Sequence, residues 1–196
     1  VRQFARPFPL ERLSLEARVL YTAFLVFLAA GLGSAVWLYA SSFGGLGGEA
    51  ASAYYLGDAP TEAPAAADGP ALDLPDEGAA GSLRLAQSPR QVMETFHFHL
   101  FTVPVVLLIV GHLFMLTSLG MRTKAAIIAA TSISTFVHLV APLAIRFGGE
   151  SLGWLMPASV IAASLGWLPL IAVPLWEMWR RLPARADAKG PEAAPR

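Results

Sequence analysis

The stretch METFHFHLFTVPVVLLIVGHLFMLTSL, Met93–Leu119, decides how this chain is read. It is long and apolar enough to cross a bilayer, yet it carries His97, His99 and His112. The only other histidine, His138, falls in the next apolar stretch. An ionisable side chain in hydrocarbon is costly, so histidines gathered in two neighbouring spans mark a functional site. They point to a bound cofactor or metal without naming one.

Composition narrows the class. A chain of 196 residues that is 55% hydrophobic and only 14% charged is too apolar for an ordinary soluble domain. Its formal net charge of zero gives no reason to expect nucleic acid or a generally anionic surface as partner. The absence of cysteine excludes disulfides, iron–sulfur clusters, thiolate zinc sites and covalently attached c-type haem. A metal or cofactor must then be held by histidine, carboxylate, methionine or backbone.

Outward from Met93–Leu119, the pattern predicts an all-α integral membrane protein. It is a four-transmembrane-helix bundle with both termini cytoplasmic and a long, flexible, acidic extracytoplasmic loop. In residues 1–18, Leu10, Leu13, Ala17 and Leu20 place an apolar stripe on one face of an interfacial helix, with Pro9 in its first turn. The first span, 19–40, is too long for a signal-peptide core and reads as an uncleaved anchor. Its segment AAGLGSA, Ala29–Ala35, lets another helix or a flat cofactor come close.

The loop 41–92 holds Glu49, Asp58, Glu62, Asp68, Asp73, Asp76 and Glu77 with no Lys or Arg before Arg84. Its Pro/Ala/Gly-rich part has no periodicity that could bury a core, while Tyr54, Tyr55 and Leu56 suit a short helix on the membrane surface. The second span is 93–119, the connection 120–124, the third span 125–145, the outer connection 146–151 and the fourth span 152–178, before a disordered tail, 179–196. Thr131, Ser134, Thr135 and His138 share one face of the third span, which is expected to look into the bundle. Trp154 at one end of the fourth span and Trp176 with Trp179 at the other mark the two interfaces.

Of the 14 Lys and Arg residues, all but Arg84, Arg90 and Arg146 lie in the N-terminal segment, the 120–124 connection or the tail. The positive-inside rule puts those three segments in the cytoplasm, in a bacterial inner membrane. At about 1.5 Å of rise per residue, His97 and His99 lie near the outer end of the second span, and His112 roughly 20 Å further in. His138, on the antiparallel third span, comes level with His99 and nearly with His97.

One reading is a b-type haem between the second and third spans, with His138 and either His99 or His97 as axial ligands, relaying electrons. The layout resembles transmembrane b-type cytochromes in general, without a diagnostic motif. A second reading is a copper or zinc site at the outer face built from His97, His99, His138 and Glu94, the last making a Glu-x-x-His step with His97. A third is a non-catalytic accessory or assembly subunit of a larger membrane complex, its histidines hydrogen-bonding across helices with no cofactor. His112 is a second-tier candidate because it lies too deep to join the others. No Ser/His/Asp grouping or phosphate-cradling loop supports an enzyme. Expected partners are the bilayer, other membrane subunits and a basic soluble redox protein, such as a c-type cytochrome, at the acidic loop.

Overall fold

The computed structural model describes residues 10–43, 47–57 and 85–180. Most of the acidic loop, the first nine residues and nearly all of the tail therefore lie outside the described residues, and with them the expected loop flexibility and tail disorder. A short 3-10 turn, Leu10–Arg12, precedes α1 (Leu15–Phe43), followed by α2 (Gly48–Leu56), α3 (Pro89–Met115), α4 (Met121–Gly148), a second 3-10 turn (Glu150–Leu152) and α5 (Leu155–Trp179). Four of these helices, α1, α3, α4 and α5, are long and apolar enough to cross a membrane.

Local chemistry sets the helix ends. Ser88 caps α3 by accepting the Gln91 amide at 3.1 Å, and Pro89, which needs no amide partner, starts the helix. The helix thus begins four residues before Met93. It stops at Met115, where Lys124 Nζ donates to the carbonyls of Met115 at 2.7 Å and Thr117 at 3.1 Å. The buried Glu177 carboxylate at the end of α5 accepts the Ser118 amide at 2.8 and 2.9 Å and its hydroxyl at 2.6 Å. That ties the α3–α4 turn to α5.

α4 and α5 form an antiparallel hairpin, and α3 packs on both. Gly166 is what lets them close: a Cβ there would come within 2.6 Å of Thr131 Oγ1 and 3.1 Å of Thr131 Cα. One turn further along α4, Trp167 Nε1 donates to Thr135 Oγ1 at 3.1 Å. Thr131, Thr135 and His138 therefore face α5, as the polar stripe of the third span predicts, while Ser134 bonds back to the Thr131 carbonyl.

Two apolar clusters result. One gathers Val110, Leu113 and Phe114 of α3 with Trp167, Leu170 and Met178 of α5 and Leu25 of α1. The other, at the α2 end, joins Tyr39, Phe43, Ala51, Ala141, Ile145 and Met156.

α2 is the short helix expected around Tyr54, Tyr55 and Leu56. Its Gly48 backbone lies against Gly153 and Trp154, and Ser52 donates to the Glu150 carbonyl at 3.0 Å. Phe43 packs edge-on to Tyr54 with centroids 5.0 Å apart.

The N-terminal stripe differs from expectation. Leu10 is fully buried and Leu20 is exposed, because the chain breaks at Leu13–Ser14 instead of continuing as one helix. The short turn docks on the base of α5, where Arg180 pairs with Glu11 and Trp179 Nε1 donates to Thr22 Oγ1 at 2.9 Å.

Gly166→Val should force α4 and α5 apart and cost about 1–3 kcal/mol, the usual range for overpacking. Thermal unfolding in detergent reads this, and an unchanged midpoint would contradict the close approach. Tyr55 gives a second test. Burial first, then the neighbouring phenols of Tyr54 and Tyr39, push its pKa well above the ordinary tyrosine value. Because the folded pKa is raised, the stabilisation is complete below about pH 10 and is lost as pH climbs toward the folded value, since the unfolded chain ionises first. Tyrosinate absorbance should show a late-titrating phenol that Tyr55→Phe removes.

Candidate cofactor-binding site

The site lies where the two apolar clusters meet. His138 sits on α4 between Thr135, bonded to Trp167 of one cluster, and Ala141, a member of the other. It is half-buried, and its Nδ1 lies 3.1 Å from Ser159 Oγ on α5. Ser159 donates its single hydroxyl hydrogen to the Met156 carbonyl at 3.0 Å. Its oxygen can then only accept from His138. Nδ1 therefore carries the proton, and Nε2 is left with a free lone pair, an assignment made from the hydrogen-bond partners.

The same logic fixes His99. Its Nδ1 lies 2.8 Å from the Thr95 carbonyl, which can only accept. His99 is thus also protonated at Nδ1 and open at Nε2. It belongs to the inner stripe of α3, Val92, Phe96, His99, Val103, Val106 and Val110, which spans roughly 80° of the helical wheel. Val92 and Val110 at the two ends are buried, Phe96, Val103 and Val106 are half-buried, and His99 alone is exposed. The packing around α3 thus opens at the histidine level. His99 and His138 lie on α3 and α4, which pack against each other.

The other candidates fall elsewhere. His97 is about 160° around the helix from His99 and exposed, with the Phe101 ring edge-on at 5.0 Å. His112, about 140° from His99, is also exposed. Glu94 is exposed and bonded to Arg90 at 2.7 Å. Among the described residues, no group of three or more His, Asp or Glu side chains converges on a common point. His97, His112 and Glu94 therefore lie on the outward side of α3, away from the face that carries His99. His97 and His112 do not face a common interior.

The small-residue segment of the first span also lands elsewhere. α1 packs against α5 and α2, and a Cβ on Gly31 or Gly33 would meet nothing within 4 Å. Ala29–Ala35 thus adds nothing to the histidine layer. Its third element is Ser159 of α5. The sequence does hold a signal for it: a tight hairpin centred near Gly149 places position 159 opposite position 138, since each lies about ten residues from the turn.

Four apolar helices with a polar layer inside them define a polytopic α-helical membrane protein. Residues 45–186 match the Aq_1264 transmembrane helical domain family, and the chain belongs to that family. The matched segment takes in α2 through α5, and so His99, His138 and Ser159, while α1 precedes it. No curated protein and no solved structure matches the chain.

Proposed function

We propose that the protein binds one b-type haem between α3 and α4 through His99 and His138, and that it relays electrons within the membrane. One observation carries this reading. Two imidazoles from adjacent antiparallel helices each commit Nδ1 to an acceptor and keep Nε2 free, the state an imidazole needs to ligate iron. Bound iron would supply a one-electron couple. The protein's part is to hold both rings in orientation, shield them with the apolar clusters on either side and leave room beside His99. Of the two possible partners for His138, the anchored His99 is favoured over the outward-facing His97.

In this proposal both termini are cytoplasmic, the 41–92 loop is extracytoplasmic, and the site lies in the outer half of a bacterial inner membrane. Support comes from the basic residues at one end of the bundle and the acids of the loop. The acidic loop would steer a basic soluble redox partner. A second reading, an accessory subunit of a larger complex, draws on His97 and His112. Both are exposed on a surface that would otherwise meet lipid, where an imidazole is costly.

Protein purified from haem-replete cells should show a reduced-minus-oxidised α band. His138→Ala and His99→Ala should abolish it or nearly so, while His97→Ala and His112→Ala should leave it almost intact. A colourless wild-type protein would reject the haem reading and favour the accessory role. Topology is tested separately: a reporter fused after Arg196 should behave as cytoplasmic and one inserted at Gly69 as exported, and the reverse pattern would overturn the orientation.

A further inference from the structure

Four serines in the spans, Ser34, Ser41, Ser134 and Ser159, donate to the carbonyl three residues back, the ordinary way a helix satisfies a hydroxyl in hydrocarbon. Ser159 differs from the other three in one respect: its oxygen also takes a bond from a histidine on another helix. It is only 2% exposed, so water does not compete for either bond. The result is a directed chain, His138 Nδ1–H to Ser159 Oγ, then Ser159 O–H to the Met156 carbonyl. Each bond in such a chain polarises the next.

We infer that Ser159 is the positioning residue of the site, setting both the tautomer of His138 and the electron-donating strength of its Nε2 toward a bound iron. The redox part of this inference rests on the haem reading above. The tautomer part does not. His99 is oriented by a backbone carbonyl of its own helix, which no side-chain substitution removes. His138 is oriented by a side chain from α5, so the α4–α5 register reaches the ligand directly. A histidine that donates its second ring proton is a more basic ligand, and one that loses its acceptor is weaker and freer to rotate. A stronger donor favours the oxidised iron, so removing the acceptor should raise the midpoint potential.

The test compares the purified full-length wild type with Ser159→Ala and Ser159→Thr. Histidine-15N NMR of the protein without haem should report His138 protonated at Nδ1 in wild type and Ser159→Thr, and a loss of that preference in Ser159→Ala. Haem-loaded Ser159→Ala should release haem about tenfold to a hundredfold faster and show a more positive midpoint potential. Ser159→Thr should restore both. An unchanged tautomer, release rate and potential in a folded Ser159→Ala protein would overturn the assignment. If Ser159→Ala fails to fold, Ser159→Cys, which is similar in shape and slightly larger but a weak acceptor, should show the same tautomer loss, and a wild-type NMR signature in it would be equally fatal. A wild type that binds no haem while the tautomer follows Ser159 would overturn the redox role and the haem reading together, leaving only the orientation of His138.

Discussion

A polar side chain inside hydrocarbon must find its partner within the protein, and that constraint governs how α4 meets α5. Water is not there to rescue an unmade bond. Thr135 is met by Trp167, His138 by Ser159, and Thr131 returns its hydroxyl to Ile127 while its bulk is received by the bare backbone of Gly166. These contacts follow one another along a single face of α4, so they fix the register as well as the distance of the pair. Sliding α5 by one residue would rotate its matching groups by about 100° and part Trp167 from Thr135 and Ser159 from His138. Apolar packing alone would not penalise that slip so sharply, since lipid tails are as good a solvent for leucine as a neighbouring helix is.

Further ties hold the other helices to this pair, at both ends. At the α3–α4 turn, Glu177 grips Ser118 and Lys124 covers the last carbonyls of α3. At the opposite end, Arg146 Nε donates to the Gln87 carbonyl at 2.9 Å, joining the end of α4 to the approach to α3. α3 is thereby clamped at both ends. α1 is attached differently. It leans on α5 through Leu25 and partly buried neighbours such as Phe24 and Leu28, and most of its length is exposed. The family match begins at residue 45, just after α1 ends.

The four long helices and the inward polar face of α4 were legible in the sequence because apolar length and a three-to-four-residue recurrence are local signals. Rise per residue along antiparallel helices likewise gives the expected level of His99 and His138. What could not be read was which helix stands beside which. The small residues of Ala29–Ala35 permit close approach, but permission does not select a neighbour. The groups that selected it are single residues, Ser159, Gly166 and Glu177, each unremarkable where it stands and informative only once a facing position is known. Nor did spacing alone separate His97 from His99. The preference for His99 in the proposed site draws on its hydrogen bond to Thr95 and on which side of α3 is packed.

The two free Nε2 atoms also bear on which cofactor fits. Zinc held structurally wants four protein ligands in a tetrahedron, and copper centres generally take three or more nitrogen or sulfur donors. The histidine level offers two imidazoles, with Glu94 engaged by Arg90 and His97 turned outward. The hydroxyls nearest His138 along α4 and α5 are themselves committed, Thr135 accepting from Trp167 and Ser159 donating to Met156. Haem asks for less from the protein, because the macrocycle supplies the equatorial ligands and only the axial positions remain. The proposed pair, His99 and His138, each with Nδ1 held by an acceptor, matches that demand in number and falls short of the three or four donors that zinc and copper take.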